Sequence, residues 1–170
     1  HKLYSYYSWQ KSKKIGIKIG GACETSSPDA NGQKNSYLIF QPYADIKYKP
    51  SELFDLKVKY RAGSNYPNIS QTNPFTHIID QQSVKSGNPY LSPELTHKVS
   101  LQNNILGGLI TIEPYYNFSG NYITETGTWR NDSIFEYNYS NIGNYRNYGI
   151  ETKFTLPIRK NLVLQSDFGF

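Results

Sequence analysis

Apolar and polar positions alternate with a period of two along most of the chain. The clearest stretch is Phe54-Asp55-Leu56-Lys57-Val58-Lys59-Tyr60-Arg61. Phe54, Leu56, Val58 and Tyr60 fall on one face, and Asp55, Lys57, Lys59 and Arg61 on the other. A helix would scatter both sets around its axis, so the pattern predicts a β-strand. Residues 37–49 behave the same way: Leu38, Phe40, Pro42, Ala44, Ile46 and Tyr48 share a face, with Gln41, Tyr43, Asp45 and Lys47 opposite. Pro50-Ser51-Glu52 between these runs is a tight turn, which makes the pair a hairpin.

The same unit recurs. Residues 3–9 lead through Lys11-Ser12-Lys13-Lys14 into Ile15, Ile17 and Ile19. Residues 94–102 place Leu95, His97, Val99 and Leu101 on one face, then turn through Asn103-Asn104 and Gly107-Gly108 into residues 109–118. Tyr148, Ile150, Thr152, Phe154 and Leu156 form a further stripe, turning at Arg159-Lys160-Asn161 into residues 162–170. About eight strands are expected. Several reach the roughly 9–11 residues that cross a bilayer when tilted. Short connections alternate with long polar ones near residues 25–36, 63–93 and 121–144, and the aromatics of the last suggest strands running beyond a membrane. Gly20-Gly21 reads as a strand irregularity.

Composition narrows the class. Of 170 residues, 37% are hydrophobic, below the roughly 45–50% of soluble globular domains, yet there are 16 Tyr, 8 Phe and 2 Trp. That is too aromatic for a disordered chain. It suits a protein whose apolar surface meets lipid while its interior stays wet. No stretch approaches the roughly 20 apolar residues of a membrane helix. The net charge of +5 does not choose between nucleic acid, an anionic surface and a positively lined interior. One cysteine, Cys23, excludes an internal disulfide framework. No signal segment is visible and Met is absent, so the chain reads as a fragment or processed piece.

Alternation alone cannot tell a soluble sandwich from a membrane barrel. Strand length, the loop asymmetry and aromatics near strand ends (Trp9, Tyr48, Tyr60, Phe118) favour the barrel. A stand-alone eight-stranded adhesin or structural barrel is one alternative, although long Lys, Gln, Tyr and Arg chains would crowd its interior. A soluble β-sandwich binding module is another.

The segment from Tyr60-Arg61 to His97 resembles the TonB-dependent receptors of the outer membrane. It carries an aromatic–Arg pair read as a strand end, a Pro-containing loop, an Asn-Pro-Phe stretch and then Gly87-Asn88-Pro89-Tyr90-Leu91-Ser92-Pro93-Glu94. Asn141-Ile142-Gly143-Asn144 followed by Tyr148-Gly149-Ile150-Glu151 resembles that family's re-entry into the barrel. The resemblance implies an all-β, antiparallel transmembrane barrel segment in residues 1–170, part of a barrel of about 22 strands, with no plug domain present. It further implies the Gram-negative outer membrane, nutrient uptake, and a plug domain and TonB complex reached through the parent protein. Partners would be outer-membrane lipid and a small nutrient or nutrient complex, with no nucleic acid and no cofactor.

Candidate chemistry is sparse. Asp45, Asp55, Glu113, Glu151 and Asp167 lie singly in strands, so paired-carboxylate catalysis is not expected. Cys23 with distant His77 and His97 makes no convincing nucleophile pair, and His1, His77 and His97 lack metal-ligand spacing. The lysines of residues 11–14 sit at a hairpin tip, where solvation explains them better than nucleic acid does. Asp45, Lys47, Asp55, Lys57, Lys59 and Arg61 are expected to line a lumen. For ligand contact the best segment is residues 64–90, through Tyr66, Asn68, Gln71, Asn73, Phe75, His77, Gln81, Asn88 and Tyr90. Those same residues could equally serve to fold the loop.

Overall fold

The structure, a computed structural model, describes residues 1–26, 29–30, 33–34, 36–130, 133–159 and 162–169. Its elements in chain order are β1 (Lys2–Gln10), β2 (Ile15–Ser26), β3 (Asp29–Ala30), β4 (Gln33–Lys34), β5 (Tyr37–Tyr48) and β6 (Phe54–Asn65). Then come α1 (Ile69–Thr72), β7 (His77–Ile78), β8 (Ser83–Lys85), β9 (Glu94–Ile105) and β10 (Ile110–Gly120). The last are β11 (Ile123–Arg130), β12 (Ile134–Asn141), β13 (Asn144–Arg159) and β14 (Leu162–Gly169).

Eight long strands form one antiparallel sheet in the order β1-β2-β5-β6-β9-β10-β13-β14. Each is joined to its neighbour along the chain, the up-and-down order that consecutive hairpins produce. β1 and β14 are the two edges and do not pair with each other, so the eight strands do not close. Four of these strands are 12 residues long and β13 is 16, enough to cross a bilayer at a tilt.

The short turns gather at one end of the sheet. Lys49 N donates to Lys14 O at 2.7 Å, Gly107 N to Leu53 O at 3.0 Å and Thr155 N to Leu109 O at 2.8 Å, so three of them are stitched together. Gly107 (φ 68°) and Gly108 (φ 93°) take the left-handed backbone that the β9–β10 turn requires. In the turn expected at Arg159-Lys160-Asn161, Lys160 and Asn161 lie outside the described residues, as does Phe170.

Three expectations need correction. The polar segment after β6 is not a plain loop: α1, β7 and β8 are built from it, and β7 and β8 join the strands β11 and β12 of the aromatic segment after β10 in a second sheet, in the order β11-β12-β8-β7. β6 does not end at Tyr60-Arg61 but runs on to Asn65, because β9 pairs with it as far as Asn65↔Glu94. Gly20-Gly21 is no irregularity, since β2 keeps unbroken register with β1 and β5 through both. Bulk explains the glycines instead. A Cβ on Gly20 would lie 2.7 Å from Tyr6 Cβ and 2.9 Å from Tyr43, and one on Gly21 would lie 2.7 Å from the Phe40 ring.

No conventional core exists. Among the described residues the buried hydrophobic side chains are Ala22, Ile39, Leu91 and Ile123, and every residue of β1 is exposed. The accessible surface is 11968 Å². A compact monomer of this mass would show about 8,500 Å² by the usual scaling. The excess is what a wall with two bare faces and two bare edges should have.

Candidate functional site

Directly paired residues on neighbouring strands project to the same side of a sheet, so the register divides the wall into two faces. On one lie Leu38, Phe40, Ala44, Ile46, Tyr48, Leu56, Val58, Tyr60, Leu95, Val99 and Leu101, continuing through Ile112, Tyr116, Phe118, Ile150 and Phe154. On the other lie Lys18, Asp45, Lys47, Asp55, Lys57, Lys59, Arg61, Lys98, Glu113, Glu151, Lys153 and Asp167.

The charges of the polar face form a network. Arg61 reaches Asp45 at 2.7 Å and Lys57 approaches the same carboxylate at 3.6 Å. Lys59 crosses over β9 to Glu113 at 2.7 Å and donates to Gln102 at 3.0 Å. Asn104 donates to Asp55 at 2.7 Å and accepts from Thr111 at 2.8 Å. Lys18 stands 4.4 Å from the Tyr6 ring centroid and Arg61 5.1 Å from that of Tyr43. All six residues expected to line a lumen therefore share this face. Lys47 stands opposite Lys57 and makes no ion pair among the described residues, which leaves the face locally cationic.

At the long-connection end, residues 66–93 and the described residues of 121–143 fold into one unit. β8 pairs with β12 in parallel through Phe135↔Ser83, Glu136↔Val84 and Tyr137↔Lys85. Lys85 bridges to Glu125 of β11, and that hydrogen bond raises the Lys85 pKa above its ordinary value. The segment Gly87 to Glu94 is the seam. Asn88 donates to Tyr139 O at 3.0 Å, and Asn141 donates to Ser92 O at 2.9 Å while accepting from Ser92 N at 2.8 Å. Glu94 accepts from Ile123 N at 2.8 Å, and Tyr37 donates to Leu91 O at 2.8 Å. Leu91, at 1% exposure, is the most enclosed large side chain described.

The nine loop candidates divide by what their polar atoms already do. Asn68 caps α1 in a reciprocal box with Gln71: its Oδ1 accepts from Gln71 N at 2.9 Å, and its own N donates to Gln71 Oε1 at 2.9 Å. Asn73 accepts from Phe75 N, and Asn88 from Tyr90 N. Tyr66 turns toward the wall, 6.4 Å from Tyr37; burial raises its pKa, and the Glu24 charge raises it further. Phe75, His77, Gln81 and Tyr90 remain exposed. Sequence reasoning met Asn141 and Glu94 only as members of motifs and gave Tyr37 no role; nothing local shows that the three fasten the cap, because their partners lie 20 to 54 residues away. It also passed over Arg146, although parity alone places that residue on the face of Tyr148 and Ile150.

This chain, with strands of membrane-crossing length and nearly all their charges on one side of the sheet, fits an outer-membrane barrel wall. It belongs to the Outer membrane protein beta-barrel family, whose model matches residues 1–170, and its place is the Gram-negative outer membrane. No curated protein matches it in sequence. Among solved structures it is similar to the siderophore receptor PirA from Pseudomonas aeruginosa, at 15% identity and TM-score 0.71 over 99% of this chain and 33% of that one. The ferric enterobactin receptor PfeA mutant (Q482A) from the same organism, solved with enterobactin, gives 15% identity and TM-score 0.72 over 99% and 26%. A double mutant of the Serratia marcescens hemophore receptor HasR, solved with its hemophore HasA and heme, gives 14% and 0.68 over 91% and 31%. The chain spans about a third or less of the length of these receptors, and at such identities the likeness is one of fold.

Proposed function

We propose that this chain is a wall-and-loop portion of a TonB-dependent transporter that takes up a nutrient or nutrient complex. The observation that carries the reading is the segregation of charge across an open sheet capped at one end by folded loops. In this reading the apolar face meets lipid, and the polar face, with Asp45, Lys47, Asp55, Lys57, Lys59 and Arg61, lines a lumen holding a plug domain. The long connections face outward and meet the substrate, while TonB supplies energy through the plug. The likeness to a siderophore receptor, a ferric enterobactin receptor and a hemophore receptor holding heme supports an iron-bearing complex as substrate. A closed eight-stranded barrel fits less well, since β1 and β14 stand apart.

The test uses the full-length protein in its native membrane. Replacing the exposed Phe75, His77, Gln81 and Tyr90 together by Ala should weaken substrate binding to cells about tenfold or more, because several exposed contacts are lost at once. A protonophore should abolish uptake and leave binding intact. Unchanged binding in the quadruple variant would remove the loop from recognition. Uptake that persists after collapse of the proton gradient would exclude energised transport. Intact mass separates the barrel alternatives, since a polypeptide near 19.5 kDa would sink the large-barrel reading.

A further inference from the structure

Up to the register shift between Pro157 and Arg159, one described strand residue on the apolar face of the eight-stranded sheet carries a formal charge. It is Arg146, the third residue of β13, directly opposite Phe118, whose partner on the other side is His97. Arg146 is exposed and makes no ion pair or hydrogen bond among the described residues. It borders a recess of about 540 Å³ lined by Leu95, His97, Phe118, Gly120, Asn144 and others, at the long-connection end of the wall.

The recess has rigid sides. The Tyr60 hydroxyl and His97 Nδ1 are 2.9 Å apart, and the His97 ring stacks on Phe118 with centroids 4.6 Å apart at 15°. With the phenol as donor, the imidazole keeps its proton on Nε2 and can donate through it. Tyr116 lies against Phe118 at 5.9 Å, so aromatic surface continues along the wall from the cation. An arginine facing hydrocarbon is costly at the bilayer centre and tolerable near its rim, where it meets headgroups. Its planar fork also fits phosphate oxygens better than an ammonium does.

We propose that this recess holds the phosphorylated headgroup of an outer-leaflet lipid. Arg146 grips a phosphate, His97 and Asn144 flank it, and the acyl chains run down the aromatic and aliphatic wall below. The assignment rests on the orientation proposed above, with the long connections outside the cell.

Native mass spectrometry of the full-length protein in detergent, with bis-phosphorylated lipid A added, is the test. The wild type should retain lipid A, and Arg146→Gln should retain about fivefold less, as expected for one basic residue near an anionic surface. Arg146→Lys should fall between them, and dephosphorylated lipid A should bind all three weakly. Equal retention by wild type and Arg146→Gln overturns the site, as does equally tight binding of phosphatidylethanolamine. Displacement of lipid A by millimolar inorganic phosphate would assign the recess to a free anion and overturn the lipid occupant. Should Arg146→Gln fail to fold, Arg146→Lys and the dephosphorylated lipid carry the comparison. Orientation is read separately, by a membrane-impermeant maleimide on Gln81→Cys in a Cys23→Ser background on intact cells. Absence of labelling overturns the orientation and this site with it. Labelling together with equal retention overturns the site alone.

Discussion

At the scale of single residues, the cap depends on positions where size or one hydrogen bond decides the geometry. A Cβ on Gly87 would meet Asn73 O at 2.6 Å, Asn73 N at 2.7 Å and Gln71 O at 2.7 Å, all backbone atoms unable to yield singly. Gly87→Ala should therefore destabilise the docked segment by about 1–3 kcal/mol, the usual cost of forced overpacking. Faster protease cleavage within residues 66–90, with unchanged heat-modifiable migration of the barrel, is the expected result; an unaltered cleavage rate would contradict it. Asp80 closes the β7–β8 turn. Hydrogen bonds from Ser83, then from Gln82 N, hold its pKa below the ordinary 3.8. Since the folded value is the lower one, the carboxylate's contribution is intact above 3.8 and fades as pH falls through the depressed value. A nitroxide on Gln81→Cys in a Cys23→Ser background should be immobilised at neutral pH and gain mobility only under such acid. Mobility independent of pH would show that the turn does not rely on this charge.

At the scale of elements, much was legible because strand information is local. Phe54 to Arg61 announces its two faces by parity, and the register with β5 and β9 keeps the same division, with Tyr43 beside Arg61 on the polar face and His97 beside Ala62 on the apolar one. The short turns were legible from Lys11–Lys14 and Gly107-Gly108 for the same reason. Gly20-Gly21 was misread because the cause lies across the sheet, in Tyr6, Tyr43 and Phe40. If the apolar face meets lipid, Val58→Arg near the middle of β6 should cost about 2–4 kcal/mol in a bilayer, whereas Lys57→Ala beside it should cost under about 1 kcal/mol. Urea midpoints in liposomes measure both, and equal costs would mean the faces are assigned wrongly. Lys59→Ala strands Glu113 on the polar face across three strands. Both side chains are partly screened, so a loss of about 1–3 kcal/mol is expected, below that of a fully buried pair. The same urea titration decides it, and a null shift would make the bridge ornamental.

At the scale of the whole molecule, wall and cap were unequally visible. The wall is a succession of hairpins whose partners are sequence neighbours. The cap joins β11 and β12 to β7 and β8, strands of two and three residues, too short for any periodicity, and β8 finds its partner β12 about fifty positions away. The exposed candidates Phe75, His77, Gln81 and Tyr90 could thus be placed on a loop from sequence, but not separated from Asn68, Asn73 and Asn88, whose side chains hold that loop together. Asn141 marks where cap meets wall, bonding to Ser92 twice and donating to Asn121 O at 2.8 Å. Asn141→Ala should speed amide exchange in β12 and in residues 83–92 severalfold, through loss of hydrogen bonds worth about 1 kcal/mol each, with β6 and β9 unaffected. Exchange that accelerates equally in the wall would mean the two are not separable units.

The parallel pairing of β8 with β12 has a temporal consequence. β9 and β10 pair across a four-residue turn and can zip as soon as both are free to meet, while Ser83 must wait for the distant Phe135 to arrive beside it. Closing so long a loop is slow compared with forming a hairpin. The cap therefore locks late, after the strands between its halves are in place, and a newly formed wall passes through a stage in which its long connections hang open to protease.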